Sequence, residues 1–233
     1  MIIRPIASGS SGNAYYISDG KSSLLLDAGI TLKKIQVGCD YSVSRLSGCL
    51  VTHGHSDHVK AAKDLAKLGV NIYTSQVTID MANLKGHRIH KVKALEQFEV
   101  GTFTILPFDV EHDVPEPLGF LVYSKETKER LLYLTDTYYI RYIFKGLTHI
   151  LIEANYDPDI LLRNAGINYK DSGRAKRVIT SHMSIDTTIQ TLESFDLSLV
   201  RQIYLLHLSN DNSNAEVFKE RVQAITGKEV YIC

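Results

Sequence analysis

The chain has 233 residues, 44% hydrophobic and 22% charged, with 26 basic and 26 acidic side chains. This suits a globular protein able to bury a real core, and a formal net charge of zero excludes a global pull toward nucleic acid or anionic membrane, leaving only local patches to supply one. Three cysteines, Cys39, Cys49 and Cys233, without a CxxC pair, exclude a disulfide framework and suit a reducing compartment.

Met1-Ile2-Ile3-Arg4-Pro5 lacks the apolar stretch of a signal peptide, and no apolar run reaches bilayer length. The expectation is a cytoplasmic protein with no membrane partner. Ile2 to Ala7 reads as a strand, followed by the polar loop Ser8-Gly9-Ser10-Ser11-Gly12-Asn13, whose glycines can take unusual backbone angles. Ala14 to Ser18 and Ser22 to Leu26 read as a hairpin about Asp19-Gly20, and the apolar run then opens into Asp27-Ala28-Gly29. Thr31 to Val37 is a short helix with Thr31 as N-cap. Leu46 to Val51 is a buried strand that delivers the chain to His53. Val59, Ala62, Leu65, Ala66 and Leu68 are apolar at helical spacing, with Gly69 as the stop. Val70 to Thr74 returns as a strand and Gln76 to Leu84 as a helix.

Lys85, Arg88, Lys91 and Lys93, with His87 and His90, form a basic segment. It reads as a solvated edge, with a nucleic-acid contact as the sharper alternative. Phe98 to Pro107 is a hairpin about Gly101, and Leu118 to Ser124 with Arg130 to Leu134 a further strand pair. Tyr138 to Lys145 reads as a helix, His149 to Ile152 as a strand, and Asp157 to Asn164 as a helix with Pro158 in its first turn. Val178 to Thr180 and Ile203 to Leu206 read as strands, Ser213 to Thr226 as a helix capped by Ser213, and Val230 to Ile232 as a last strand. The succession is mixed α/β, and with no linker or change of composition, residues 1–233 read as one domain.

The densest chemistry is Thr52-His53-Gly54-His55-Ser56-Asp57-His58, four potential ligands in HxHxDH after an apolar strand. Residues two apart in an extended loop point the same way, so His53 and His55 can grip one ion. Asp57 and His58 lie where a helix begins and can be aimed at a second. Zinc takes imidazole and carboxylate donors readily, and a two-metal site needs more of them. His112, Asp136, His182 and His207 each follow an apolar run in the same manner. His87, His90 and His149 lack that placement and read as surface or satisfied core residues.

The order HxHxDH, His112, Asp136, His207 resembles the metallo-β-lactamase superfamily. Ser8 to Asn13, Asp27-Ala28-Gly29, Glu153-Ala154-Asn155-Tyr156-Asp157 and His207-Leu208-Ser209 resemble its YycJ-type branch, bacterial proteins regarded as DNA exonucleases or phosphodiesterases. The resemblance covers nearly the whole chain and implies a four-layer αββα sandwich with two divalent ions, Zn²⁺ first and Mn²⁺ as the alternative. By that pattern His53, His55 and His112 hold one ion, Asp57, His58 and His207 the other, and Asp136 bridges. His182 matches the position that contacts phosphate or protonates the leaving oxygen, so Asp57 and His182 are the expected catalytic residues. Ser181-His182-Met183-Ser184-Ile185 and Asn155-Tyr156-Asp157 depart from the branch, which bears on substrate preference.

The expected reaction is hydrolysis of a phosphodiester in DNA or a similar substrate. Asn13 either lines the cleft or serves a plain tight turn. Lys170, Arg174, Lys176 and Arg177 are candidates to follow a phosphate backbone, and Tyr138, Tyr139 and Tyr169 to stack on bases. The rival readings are a small-molecule hydrolase for a thioester, lactone or cyclic nucleotide, and a binding protein that keeps the fold without turnover.

Overall fold

The computed structural model describes residues 1–165 and 173–233, without the side chain of Arg174. The chain is mixed α/β, with its strands in two sheets. It divides into two compact units: Met1–Asp109 with Val114–Glu129, and Val110–Asp113 with Arg130–Cys233.

In the first unit β1 (Ile2–Ala7), β2 (Ala14–Ser18), β3 (Ser23–Leu26), β4 (Gly48–Leu50), β5 (Ile72–Thr74) and β6 (Ile89–Lys91) form one sheet in that order. β1 to β3 pair antiparallel through tight turns, and β3 to β6 pair parallel. Parallel pairing needs crossovers, supplied by α1 (Leu32–Gly38), α2 (Ser56–Val59), α3 (Ala62–Lys67) and α4 (Gln76–Met81). Ile35, Ala62 and Leu65 from these helices share a buried cluster with Leu25, Cys49 and Ile72.

The helical spacing after His58 predicts one helix, but the structure breaks it into α2 and α3. A continuous helix would bond the Ala61 N–H to the Asp57 carbonyl. Instead that carbonyl accepts from the Asn13 N–H at 2.8 Å, and Ala61 donates to Ala28 at 2.8 Å. Both bonds tie the helix start to loops far away in sequence.

Also in this unit, β7 (Phe98–Val100), β8 (Phe103–Asp109) and β9 (Leu118–Ser124) pair antiparallel. Asp19, in the β2–β3 turn, joins the hairpin to this ladder. Its carboxylate accepts from the backbone N–H of Lys21 and Ser22 (3.0 and 2.8 Å) and from the hydroxyls of Thr102 and Ser124 (2.5 and 2.8 Å).

In the second unit β10 (Arg130–Leu134), β11 (His149–Glu153), β12 (Gln202–Leu206) and β13 (Glu229–Ile232) run parallel, each beside the next. Its helices are α5 (Pro158–Ala165), α6 (Gly173–Ser181), α7 (Ile185–Ser194) and α8 (Ala215–Thr226). Three expectations are corrected here and one helix is added. Tyr138 to Lys145 is irregular and not a helix; its aromatic and β-branched run is a poor helix former, and the Tyr138 N–H is taken by the Glu111 carbonyl. Val178 to Thr180 is the end of α6 and not a strand, because Ala175 and Val178, three apart, pack on Tyr156 and Leu161. Helix α7 was not foreseen; Ser184 caps it by accepting from Thr187, and Ile185, Thr188, Ile189 and Leu192 form its buried stripe. Asn214, and not Ser213, caps α8 by accepting from the Val217 N–H. No helix among the described residues is long and apolar enough to cross a membrane.

Burial opposes the charge on Asp19, but its N–H and hydroxyl donors outweigh it and hold the carboxyl below its ordinary 3.8. A group with a depressed folded pKa stabilises above its unfolded value and loses that contribution as pH falls through the folded one. Asp19→Ala should therefore lower stability by about 1–3 kcal/mol at pH 7 and by less at pH 3. Urea unfolding at both pH values measures this; equal losses would show that the charge plays no part.

Candidate metal centre

In the first unit, β4 ends at Leu50 and Val51-Thr52 lead to His53. His53 Nε2 lies 3.1 Å from His55 Nδ1, with the rings edge-on at 81°. His58, at the start of α2, is fully buried; its Nδ1 is 2.7 Å from Asp27 Oδ2, and Asp27 is equally buried. That contact leaves Nε2 to face the other way, 3.5 Å from Asp57 Oδ2. Asp27 also accepts from the Thr52 N–H at 2.8 Å and the Thr52 hydroxyl at 3.1 Å, and the same hydroxyl lies 3.0 Å from His53 Nδ1. Imidazoles that bind metal ordinarily have their second nitrogen fixed in this way.

The loops quoted from the sequence brace this segment. The N–H of Gly29 donates to the Asn13 carbonyl and that of Ala28 to the His58 carbonyl, each at 2.8 Å. A Cβ on Gly29 would stand 1.6 Å from the Asp57 carbonyl oxygen, and one on Gly12 (φ +138°) 2.4 Å from the Gly29 oxygen. No side chain fits at either position. Asn13 is fully buried. Its Oδ1 accepts from Gly9 N–H (3.0 Å) and the Tyr15 hydroxyl (3.1 Å), and its Nδ2 lies 3.1 Å from His58 Nε2. These contacts fit the tight-turn alternative, with Asn13 supporting the Asp57-His58 turn.

In the second unit, Asp136 stands two residues after β10 and His207 directly after β12. Both are left-handed, at φ 49° and 54°, a conformation uncommon outside glycine that turns the side chain across the strand end. His112 Nδ1 lies 2.8 Å from the Ser181 carbonyl oxygen, and His207 Nδ1 lies 2.9 Å from the Asn155 amide. Their outward nitrogens flank Asp136: His112 Nε2 is 3.7 Å from Oδ2 and His207 Nε2 is 3.7 Å from Oδ1. Such a separation is too long for a hydrogen bond, but it is near the spacing of roughly 3–4 Å between two donors on one ion with bonds of about 2 Å.

His182 follows α6. Its Nδ1 is 2.7 Å from Glu153 Oε1, and its ring stacks on His207 at 5.2 Å with 10° between planes. Glu153 ends β11 with no exposure and accepts from the Thr137 and Met183 N–H groups at 2.9 and 3.3 Å. Burial pulls the His182 pKa down, but the Glu153 carboxylate lifts it above the ordinary 6.5. Burial raises Glu153, yet His182 and the hydrogen bond from His207 hold it below 4.5. Asp136, Glu153, His182 and His207 bring four ligand-type atoms within 4.8 Å of one another, and these imidazole and carboxylate donors fit a divalent cation of borderline softness.

The structure thus gathers His53, His55, Asp57 and His58 in one unit, and His112, Asp136, His182 and His207 in the other. Asp27, Glu153 and Asn155 belong to these clusters but carry no role in the sequence reading. Each lies at, or within two positions of, the end of an apolar strand, as Asp136 does, but that placement does not say which residue it orients. His87 is exposed, His90 stacks on Tyr73 at 4.9 Å, and His149 is buried beside the Thr148 hydroxyl. Tyr138, Tyr139, Lys176 and Arg177 are exposed, with Arg177 paired to Asp113 at 2.7 Å. Tyr169, Lys170 and the Arg174 side chain lie outside the described residues.

A family model described as a beta-lactamase superfamily domain matches residues 23–208. Exodeoxyribonuclease WalJ of Streptococcus pneumoniae is 34% identical over 91% of this chain and 83% of its own length. Exodeoxyribonuclease YycJ of Bacillus anthracis is 29% identical over 94% of this chain and 87% of its own. Among solved structures, the metallo-β-lactamase fold protein YhfI from Bacillus subtilis superposes with a TM-score of 0.75 at 15% identity, covering 99% of this chain and 95% of that one. At that identity the likeness shows the fold.

Two outcomes follow from the geometry. Gly29→Ala should displace the Asp57-His58 turn, lowering both the melting temperature and the affinity for added Zn²⁺ in calorimetry; wild-type values for both would remove the close approach as a requirement. In metal-free protein, Glu153→Gln should bring the His182 pKa down to 6.5 or below, followed by NMR of the imidazole; an unmoved midpoint would show that Glu153 does not hold the charge.

Proposed function

Because the chain belongs to the metallo-β-lactamase superfamily as a YycJ-type hydrolase, we propose that it is a phosphodiesterase acting on DNA in the cytoplasm. In this reading two divalent ions, Zn²⁺ or Mn²⁺, would be held by the donors named from the sequence: His53, His55 and His112 for one and Asp57, His58 and His207 for the other, with Asp136 available to both. The observation that carries it is the Asp136 carboxylate, whose two oxygens face different imidazoles at 3.7 Å. One carboxylate offered in two directions suits a shared ligand better than a single ion pair. The DNA substrate is supported by two relatives named exodeoxyribonucleases.

Bound divalent cations supply Lewis-acid chemistry, acidifying a water and drawing charge from phosphate oxygens. The chain's own residues do the rest. Glu153 engages Nδ1 of His182 at 2.7 Å and favours the protonated ring, so Nε2 is the nitrogen left to face the substrate and carry the proton. That proton hydrogen-bonds a phosphate oxygen and passes to the departing oxygen as the ester bond breaks. Asp57, beside its role as a ligand, orients the attacking water. Asp27 and Asn155 act through His58 and His207 as positioning residues.

Metal analysis of purified protein, coupled to cleavage of labelled single- and double-stranded DNA with and without chelator, tests this reading. Two equivalents of metal and chelator-sensitive cleavage are expected. His182→Ala and Asp57→Ala should each lower kcat at least about 100-fold; undiminished cleavage would strip them of their roles. Turnover confined to thioesters, lactones or cyclic nucleotides would replace the DNA reading with the small-molecule one.

A further inference from the structure

The first unit carries a second feature that the proposed chemistry does not use. A cleft of about 270 Å³ is lined by Lys63, Ala66 and Lys67 of α3 on one side and by Asn83 and residues 85–89 on the other. Lys63, Ala66 and Lys67 stand three and four apart, so one stripe of α3 forms a wall, while Ala62 and Leu65 point into the core. The facing wall brings Lys85, His87 and Arg88. Lys63, Lys67, Lys85 and His87 are exposed, and Arg88 is half-buried with its guanidinium donating to Asn71 at 3.2 Å. None of the lining residues is acidic; Lys67 pairs with the neighbouring Asp64 at 3.0 Å. In a chain of zero net charge, four permanent cations and a histidine around one cleft form a local positive field.

None of the motif residues lines this cleft. β4, β5 and β6 are parallel, and His53 lies past the C-terminal end of β4, whereas α3 and the Asn83–Arg88 turn lead into the starts of β5 and β6. Met81, two residues before Asn83, packs against Gly54 of the motif, so the cleft begins near the motif and extends toward the starts of β5 and β6.

We infer that this cleft is an accessory site for the phosphates of a DNA strand, held beyond the segment being hydrolysed. The inference rests on the reading of the protein as a DNA-acting enzyme and adds where the remote part of the strand is gripped. A buried single anion calls for fixed, converging donors. Exposed ammonium groups on two facing walls instead suit successive phosphates, whose binding is driven by release of counterions and carries no sequence preference.

The test is binding of a fluorescent single-stranded DNA 30-mer to the full chain in chelator, read against salt concentration. Lys63→Gln/Lys67→Gln/Lys85→Gln should weaken binding about tenfold or more and flatten the slope of log affinity against log salt by about 2, at roughly 0.7 for each phosphate no longer neutralised. Lys33→Gln/Lys34→Gln on exposed α1 should leave both within twofold. Lys85→Gln alone, with a slope change of about 0.7, serves if the triple variant melts early. DNA binding by wild type and triple variant alike would overturn the cleft and leave the DNA reading standing. An equal loss in the α1 control would reduce the effect to net charge and overturn the cleft as well. No binding by wild type in chelator would overturn the cleft, the DNA reading being decided separately by cleavage with metal restored, and displacement of DNA by tripolyphosphate at equal affinity would assign the cleft to a small polyanion instead.

Discussion

A carboxylate sealed from solvent has to be answered by donors, and in each unit one such group fixes an imidazole. Asp27 and Glu153 have no exposure, and an ionised carboxyl there costs several kcal/mol unless compensated, on the scale of buried-charge penalties. Asp27 is met by Thr52 and His58, Glu153 by Thr137, Met183 and His182. Both carboxylates stand 2.7 Å from the Nδ1 of their histidine. The result is direction: with Nδ1 held, the ring can turn only Nε2 outward. Neither histidine could be replaced by another basic residue without losing that geometry, since only a planar ring offers two nitrogens on opposite sides.

A related device recurs within each unit. An apolar parallel strand ends, and the next one or two residues are polar: Asp27 after β3, Asp136 after β10, His207 after β12, with Glu153 closing β11. In the second unit the parallel strands β10, β11 and β12 finish on one edge, so Asp136, Glu153 and His207, dozens of positions apart, meet there without a long loop to carry them. Asp27, Asp136 and His207 are all left-handed, at φ 58°, 49° and 54°. Each such residue costs on the order of 1 kcal/mol, and the surrounding hydrogen bonds hold it there.

Much of this was legible in the chain itself. HxHxDH and the histidines and aspartate behind apolar runs announce themselves because imidazole and carboxylate at a buried strand end need an explanation. The strands were legible for the same reason, as short apolar runs between turn residues. What failed was local: Val178 to Thr180 looks β-branched but is helical because Ala175 and Val178 share a face, and the run from Tyr138 is held by Glu111 and not by its own turns. Asp27, Asn155 and Glu153 escaped assignment because a residue that orients another leaves no spacing signature. Its role exists only once the fold has brought the partner to it.

The contact of Gly29 with the Asp57 carbonyl also bears on how this protein can be rebuilt. Residues 8–13, 27–29 and 53–58 interlock backbone to backbone, so transplanting the histidine motif alone into another scaffold would carry over the reactive groups without the seat that shapes them. The three segments make a single exchangeable part, and recombination breakpoints belong outside all of them, not between them.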